Sequence, residues 1–362
     1  MDKKRMGDSK AKRTGLSRDV GEAVGQVPIV RLNRVSPLCA RHDFYLKLES
    51  CNPGGSIKEK NAVYLIDDAE RSGLLRPGGV IVESSSGNFG IALAMIAAAR
   101  GYRVIIVVDA KTPARVRLML RSYGAEIAEV PMDAMDAHGS MQEARMKKAA
   151  ELARRIPGAW YVCQHTNPKN PDAHAMSTAR EIEEAFDPLP DVIVVGVSTG
   201  GQLAGISRRL RERRSSVRLV AVDVAGSAIL GTPRHSYKMT GLGLSFIPPC
   251  FDPAVLDAAY SVNDRLAFSF CHALARQEGL LLGSSTGAIV AAGLAYAARA
   301  STRLRVLMIN PDRGDRYLET VYNEGWLKEN GIGLLVGDEL EAGVNGLAPV
   351  SPPIPTSNES YS

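Results

Sequence analysis

Residues 52–58 read Asn-Pro-Gly-Gly-Ser-Ile-Lys and combine a tight turn with a lysine that could act as a nucleophile. The alternating apolar stretch at 44–49 predicts a strand that leads into the turn. Ser56 is expected to cap the next helix, which places Lys58 in its first turn. The positive end of a helix lowers a lysine pKa, and a neutral amine can form a Schiff base. The alternative is that Lys58 is an ordinary solvated lysine, one of 44 lysines and arginines in the chain.

Two loops rich in serine and glycine each connect a buried strand to a helix. Residues 84–90 read Ser-Ser-Ser-Gly-Asn-Phe-Gly, and residues 198–202 read Ser-Thr-Gly-Gly-Gln. Backbone N–H groups and hydroxyls converge at such a helix start and bind anions. The second loop is the stronger phosphate site, and an ordinary capped turn is the alternative for both. It lacks the GxGxxG spacing and a Walker lysine, so neither a dinucleotide nor ATP is favoured.

Residues 196–200 and 283–287 match G-x-S-x-G, a pattern typical of serine hydrolases. Ser285 fails as a nucleophile because no histidine follows it in the sequence. Ser198 has the required strand–turn–helix context, with an aspartate and histidines downstream. No His-Gly-Gly motif precedes it, however, and a hydrolase would leave Lys58 unexplained. The hydrolase is therefore kept as a distant alternative.

Composition narrows the class of protein. The 362 residues are 45% hydrophobic and 23% charged, with a formal net charge of +5, as in an ordinary globular protein with two domains. No basic block contains interleaved aromatic residues, so no nucleic-acid partner is predicted. The apolar runs at 91–99 and 288–298 are shorter than the about 20 residues that span a bilayer, so no membrane partner is predicted. Five scattered cysteines indicate a cytoplasmic location, and six histidines lack metal-binding spacing.

Strands and helices alternate along the chain, which predicts an α/β fold with mainly parallel sheets flanked by helices. We expect a small mobile lobe at residues 50–165 and a large lobe formed by 20–49 and 166–330. Residues 1–19 are predicted to be a flexible leader, and residues 335–362 a disordered tail. Ligands bind at the carboxyl ends of the strands in such folds, so the loops are expected to converge on one cleft.

Four motifs, taken together and in order, make the chain similar to the fold-type II pyridoxal-phosphate enzymes of the cysteine synthase and cystathionine β-synthase family. They are residues 52–58, 85–88, 198–202 and 285–287. The resemblance implies pyridoxal 5′-phosphate as cofactor, held as a Schiff base by Lys58, with Asn88 on its ring hydroxyl and Ser285 facing its ring nitrogen. A neutral hydroxyl there makes the cofactor a weaker electron sink, which suits β-elimination. The cofactor phosphate would be bound by Ser198, Thr199, Gly200, Gly201 and Gln202.

Within this family the chain looks most like the N-(2-amino-2-carboxyethyl)-L-glutamate synthases of 2,3-diaminopropionate biosynthesis. This likeness rests on residues 136–139, 222–227 and 311–318. Cysteine synthases usually have Gly and Thr where this chain has Ser198 and Gln202, and Phe in place of His165. These changes add polarity inside a cleft.

The implied reaction joins O-phospho-L-serine to L-glutamate through an α-aminoacrylate, with Lys58 as the base for the α-proton. The carboxylate of the first substrate would be held by Ser85, Ser86, Asn88 and Gln164. Both substrates are more anionic than O-acetylserine and sulfide, and His165, Ser198 and Arg145 are candidates for the additional donors. For His165 the alternative is a packed core histidine, and for Arg145 it is a solvated helix residue.

The runner-up is a cysteine synthase that combines O-acetylserine or O-phosphoserine with sulfide, because the chemistry is the same up to the aminoacrylate. A pseudoenzyme that binds partners through its tail is less favoured, because Lys58 is intact. The family implies a homodimer. The 2,3-diaminopropionate would supply a siderophore or a peptide antibiotic.

Overall fold

The computed structural model describes residues 16–135 and 140–352. Most of the predicted leader (1–15), the stretch 136–139 quoted for the resemblance, and the end of the predicted tail (353–362) lie outside the described residues. The strands are β1 (Ile29–Leu32), β2 (Asp43–Leu48), β3 (Val80–Ser84), β4 (Arg103–Asp109), β5 (Glu126–Val130), β6 (Ala159–Tyr161), β7 (Val192–Gly196), β8 (Arg218–Val224), β9 (Ala258–Val262) and β10 (Arg305–Asn310). The α-helices are α1 (Lys58–Ser72), α2 (Asn88–Arg100), α3 (Ala114–Ser122), α4 (Gln142–Arg155), α5 (Asn170–His174), α6 (Arg180–Ala185), α7 (Gly201–Glu212), α8 (Asp264–Ala273), α9 (Ser284–Ala298), α10 (Glu324–Glu329) and α11 (Asp338–Gly346).

The first sheet contains six strands in the order β1-β2-β10-β7-β8-β9. Only β1 is antiparallel to its neighbour within this sheet. Both faces of the central strand β7 are buried, since Val192 and Val194 pack toward α8 and α9 while Ile193 and Val195 pack toward α7. Burial on both faces explains why β7 is an unbroken apolar run rather than an alternating one.

The second sheet contains four parallel strands in the order β5-β4-β3-β6. Helices α1, α2 and α3 pack on one face, and α4 packs on the other. The predicted α/β class, with mainly parallel sheets flanked by helices, is confirmed. All four strands lie within residues 50–165, while the exact lobe boundaries and the mobility of the smaller lobe stay predictions.

A buried cluster of four charged side chains connects α1 to the first sheet; we call it the charge cluster and define it as Lys47, Glu49, Lys60 and Glu181. The Nζ of Lys60 lies 2.7 Å from Glu49 and 2.8 Å from Glu181. The Nζ of Lys47 lies 3.1 Å from Glu49 and also contacts Glu181. Although burial opposes ionisation, the two lysines lower the pKa of Glu49 to about 2. Each charge is therefore paired with two of opposite sign.

The prediction of a disordered tail from residue 335 was wrong for the part that the structure describes. Helix α11 packs on α8 and α9 and buries Leu340 and Val344. Farther along, the N–H of Val350 donates to the carbonyl of Ala259 on β9 at 2.8 Å. Two buried residues in one short helix gave too little periodicity for a sequence-based prediction of order.

Candidate active site

Lys58 is the first residue of α1, and Glu59 beside it stabilises the helix start. The carboxylate of Glu59 accepts from the N–H of Gly54 and from the N–H of Ser56, both at 2.8 Å. The predicted cap by the Ser56 side chain was therefore wrong. A glutamate close to the start of a helix can reach back to free N–H groups, and here it replaces the expected hydroxyl.

The Lys58 amine lies in a cavity and forms no ion pair or hydrogen bond with any of the residues described. Burial lowers the pKa of Lys58 to about 8. The direction agrees with the prediction from sequence, although removal of the amine from water is the cause rather than the helix dipole. A much larger fraction of this amine is neutral near pH 8 than for an ordinary lysine.

The second serine- and glycine-rich loop borders the same cavity, to which it contributes Ser198, Thr199, Gly200 and Gln202. Gly200 has a φ of 78°, and a Cβ there would lie 2.8 Å from the backbone of the chain at Cys250 and Phe251. Helix α7 begins at Gly201, so the N–H groups of its first turn lack helical partners. This loop and helix start can therefore bind an anionic group close to Lys58.

Ser285 lies in the first turn of α9 with its side chain buried. Its Oγ has no hydrogen-bond partner among the described residues. Gly241 borders the cavity, and a Cβ on Gly241 would lie 3.5 Å from that Oγ. The hydroxyl of Ser285 is therefore close to the wall of the cavity and can bond a ligand atom there.

Glu83, at the end of β3, connects the first serine-rich loop to Gln164. One carboxylate oxygen accepts from the N–H of Ser84 at 2.7 Å, and the other accepts from the N–H of Gln164 at 3.1 Å. Burial raises the pKa of Glu83 to about 8. In the same loop, the N–H of Gly90 donates to the Ser85 Oγ at 2.9 Å. Sequence reasoning missed Glu83 because only the fold brings it to Gln164.

Asn88, the first residue of α2, is held on two sides by the segment that follows β10. Its Nδ2 donates to Asp312 Oδ2 at 2.7 Å, and its Oδ1 accepts from the Arg316 guanidinium. The hydroxyl of Tyr317 donates to the same Asp312 oxygen at 2.6 Å. Ser86 is partly exposed in the loop just before Asn88. The three residues that hold Asn88 were not among the predicted site residues.

His165 is buried and belongs to a chain of polar side chains. Its Nε2 lies 3.3 Å from the Gln142 Nε2, and the Gln142 Oε1 accepts from the Ser245 hydroxyl at 3.3 Å. In this orientation the Gln142 amide donates to the imidazole, so the neutral ring carries its proton on Nδ1. That Nδ1 is buried and unpartnered among the described residues. Burial, Lys58 and Arg145 lower the pKa of His165 to about 3, so the ring is neutral.

Arg145 forms an ion pair with Asp109, and only 12% of its side chain is exposed. The alternative of a solvated helix residue is therefore wrong. Within the described chain, the Nε of Arg145 is buried and lacks a partner. Arg145 lies close enough to His165 to lower its pKa, but part of the Arg145 guanidinium is already bound by a carboxylate.

His174, the last residue of α5, borders the cavity. Its Nδ1 lies 3.1 Å from the Thr178 hydroxyl. In the part of the chain that the structure describes, Ser198 is hydrogen-bonded to none of the histidines, and His235 and His272 contact backbone carbonyls. Ser198 therefore has no base, and the geometry does not support the hydrolase alternative.

The described ranges contain neither a membrane-spanning helix nor a cluster of metal-binding side chains. No helix in residues 16–135 or 140–352 is long and apolar enough to cross a membrane. Within the same ranges, no group of three or more His, Cys, Asp or Glu side chains could hold a metal ion.

Comparison with known proteins shows similarity over most of the chain. A family model described as pyridoxal-phosphate dependent enzyme matches residues 20–312. The chain is 38% identical over 309 residues to the N-(2-amino-2-carboxyethyl)-L-glutamate synthase of Cupriavidus metallidurans, covering 84% of this chain and 90% of that protein. It is 39% identical over 307 residues to a probable cysteine synthase of Bacillus subtilis, covering 83% and 96%. The crystal structure of O-ureido-L-serine synthase superimposes with a TM-score of 0.79 at 36% identity, covering 90% of this chain and 99% of that one.

Proposed function

Because the chain belongs to the family of pyridoxal-phosphate-dependent enzymes, we propose that it joins O-phospho-L-serine to L-glutamate. It is a pyridoxal-phosphate-dependent transferase that replaces a substituent on a serine derivative. The proposal concerns the choice of the two substrates and the residues that bind them. Its products would be N-(2-amino-2-carboxyethyl)-L-glutamate and inorganic phosphate.

The residues around the cavity fit pyridoxal 5′-phosphate. Lys58 supplies an amine of lowered pKa, and the start of α7 supplies N–H groups for the phosphate. The unpartnered hydroxyl of Ser285 can face the ring nitrogen, and Asn88 has a second N–H for the ring hydroxyl. When bound, the cofactor withdraws electrons from the α-carbon of an amino acid, which lets a β-substituent leave.

Residues of this chain then transfer one proton and bind one carboxylate. Lys58, once released from the cofactor, takes the α-proton of the serine derivative and later returns it. Its lowered pKa suits a base that acts close to neutral pH. Ser85, Ser86 and Gln164 bind the carboxylate, and Glu83 fixes their relative positions through the two backbone N–H groups that it accepts.

The buried Nδ1 of His165, which has no partner within the described chain, is the single observation that carries the choice of L-glutamate. A buried N–H group without a partner costs about 1–3 kcal/mol. A carboxylate of L-glutamate can accept from it, whereas sulfide has no oxygen acceptor. Arg145 nearby adds positive charge, although it shares that charge with Asp109. Ser198 adds a hydroxyl to the cavity for the phosphate groups of cofactor or substrate.

The second candidate function is a cysteine synthase, which is favoured by the 39% identity to the probable cysteine synthase of Bacillus subtilis. The two candidates differ only in the nucleophile of the second half-reaction. Sulfide is small and needs no carboxylate site, so it would leave the polar chain around His165 without a purpose in catalysis.

The test follows the absorption of the bound cofactor while substrates are added in order. O-phospho-L-serine should release phosphate and shift the visible band, and L-glutamate should restore the band. If sulfide restores the band and L-glutamate does not, the cysteine synthase is correct. The variant His165→Phe, which installs the residue usual in cysteine synthases, should raise the KM for L-glutamate about tenfold or more. The first half-reaction serves as the internal control and should be unchanged.

Three further expectations stay predictions. The homodimer follows from the family resemblance and can be measured by light scattering. The cytoplasmic location rests on the scattered cysteines. The supply of 2,3-diaminopropionate to a siderophore or a peptide antibiotic depends on the enzymes that consume the product.

A further inference from the structure

Asp312 lies where three motifs of the candidate site meet. Beside it, the N–H of Ile57 donates to the carbonyl of Pro311 at 2.8 Å, which fixes the segment to the Lys58 loop. The N–H of Gly283 donates to the carbonyl of Asp312 at 3.1 Å, which fixes it to the Ser285 loop. The Asp312 side chain, only 1% exposed, turns to the third motif at Asn88.

A carboxamide has two orientations that differ by exchange of its oxygen and nitrogen. Burial raises the pKa of Asp312, whereas Tyr317, Arg316 and Asn88 favour its ionised form. In that form Asp312 can only accept a hydrogen bond, and Arg316 can only donate. With both in contact with Asn88, its Nδ2 must face Asp312 and its Oδ1 must face Arg316. One N–H of Nδ2 is used by Asp312, and the structure gives the other no partner among the described residues.

We propose that Asp312 and Arg316 are positioning residues that hold the Asn88 amide so that its second N–H donates to the ring hydroxyl oxygen of the cofactor. This inference rests on the proposed role of Asn88 in binding that oxygen. The reversed amide would present a carbonyl oxygen to an oxygen that carries negative charge, and the two would repel each other. The pair therefore selects the orientation that stabilises the charged form of the ring hydroxyl.

The Tyr317 hydroxyl and the Arg316 contact with the Gly54 carbonyl support the arrangement. Tyr317 donates to Asp312 Oδ2, the same oxygen that accepts from Asn88, and so holds the carboxylate in one rotamer. Arg316 uses its second nitrogen on the loop that precedes Lys58. The amide of Asn88 is thus fixed relative to the residue that binds the cofactor covalently.

The experiment compares the wild type with Asp312→Asn, Asn88→Ala and the control Asp315→Asn. Asp315 lies on the same segment, and its carboxylate contacts Arg115 and Arg313 rather than Asn88. Three quantities are measured: the visible spectrum of the loaded protein, the Kd of pyridoxal 5′-phosphate for the cofactor-free protein, and the melting temperature of the cofactor-free protein.

Asp312→Asn should move absorbance from the long-wavelength to the short-wavelength form of the cofactor and weaken its binding about tenfold. Asn88→Ala should give the same change, and Asp315→Asn should give none. An unchanged spectrum and Kd in Asp312→Asn, with a change in Asn88→Ala, would overturn the inference and leave the proposed function intact. No change in Asn88→Ala would remove the proposed role of Asn88 itself.

Arg316→Met keeps the test decisive if Asp312→Asn does not fold. This partly exposed side chain keeps its apolar stem but loses the donor to the Asn88 oxygen. The same spectral shift at a wild-type melting temperature supports the inference. A wild-type spectrum in this variant overturns it, because the amide would then be held without Arg316.

Discussion

Lys58 and Lys60 are two residues apart in the same helix, yet their surroundings are opposite. Lys60 belongs to the charge cluster, where carboxylates lie at 2.7 and 2.8 Å from its Nζ. Lys58 borders a cavity and has no carboxylate partner among the described residues. Burial lowers the pKa of its amine to about 8. One turn of helix thus contains a lysine held in buried ion pairs and a lysine whose amine has no partner among the described residues.

The same contrast separates the two regions as wholes. In the charge cluster each buried charge has two opposite partners. In contrast, the residues of the candidate active site include several buried polar atoms without a partner within the described chain, such as Ser285 Oγ, Gln202 Nε2, His165 Nδ1 and Asp312 Oδ1. Unpaired buried polar groups are rare because each costs free energy. The atoms named here are therefore available to bond a ligand.

The largest expected effect comes from Lys58→Ala, which removes the amine from the cavity. Activity should fall at least about 1,000-fold, because one group both binds the cofactor and moves the proton. The protein should also lose its covalently bound visible chromophore. Steady-state assays and spectra measure both losses. A normal melting temperature for the cofactor-free variant is the control, and retained activity would refute the assignment of Lys58.

Lys60→Met should have the reverse pattern, with a large loss of stability. It leaves two buried carboxylates with Lys47 as their one cation, and the uncompensated buried charge costs about 3–5 kcal/mol. The unfolding free energy can be measured with urea. The double variant Lys60→Met/Glu181→Met removes one charge of each sign and should recover part of the loss.

The exposed pair of Arg103 and Glu126, whose atoms lie 2.8 Å apart, is the matched control for the charge cluster. Arg103→Met should change the unfolding free energy by less than about 1 kcal/mol, because water already solvates both charges. Equal losses for Lys60→Met and Arg103→Met would mean that burial of the cluster has no energetic consequence.

Two adjacent serines allow a comparison between a hydroxyl that is hydrogen-bonded within the protein and one that is not. The Ser284 hydroxyl donates to the Thr240 carbonyl at 3.2 Å, whereas the Ser285 hydroxyl has no partner in the described structure. Ser284→Ala should destabilise the cofactor-free protein by about 1 kcal/mol, and Ser285→Ala by less than about 0.5 kcal/mol.

With cofactor present, the difference in stability loss between the two serine variants should change. Ser285→Ala should lose about 1 kcal/mol of the stabilisation that the cofactor provides, because its hydroxyl gains a partner only in the loaded protein. Thermal melting of Ser284→Ala and Ser285→Ala, each with and without pyridoxal 5′-phosphate, measures the stability change of both variants in both states. Identical cofactor stabilisation in Ser285→Ala and wild type would contradict the contact with the ring nitrogen.

The smallest effect is a shift in pH dependence. Because the pKa of Lys58 is lowered, its neutral amine persists at lower pH than that of an ordinary lysine. The rate at which cofactor-free protein binds pyridoxal 5′-phosphate should rise with pH and level off above about 8. Nα-acetyl-lysine in the same buffers should continue to react faster up to about pH 10.4. A protein rate that follows the free amino acid would contradict the effect of burial.

Local patterns in the sequence predicted the fold class, the family and the cofactor, and the comparisons confirm all three. The buried strands β7 and β10 were readable because parallel strands are apolar on both faces. Lys58, Ser198 and Ser285 could be predicted as site residues because each lies in a short motif at or just before a helix start. Such motifs carry their chemistry within a few consecutive residues.

The parts that were missed depend on contacts between distant residues. Asp312 binds Asn88 across 224 positions, and Lys47 binds Glu181 across 134. No periodicity links such partners before the chain folds. The pairing of Arg145 with Asp109, and the position of His174 beside the cavity, belong to the same class. Burial of α11 was also unpredictable, because its polar composition conceals two core residues.

The bond between Val350 and Ala259 has a consequence for the protein in concentrated solution. Strand β9 is the last in its sheet, so its outer edge carries backbone groups that could pair with a strand of another molecule. The C-terminal segment contacts this edge at one point, where the N–H of Val350 donates to the carbonyl of Ala259. The last described residues thus cover part of this edge, and we expect their removal to leave its backbone groups free to pair with another molecule.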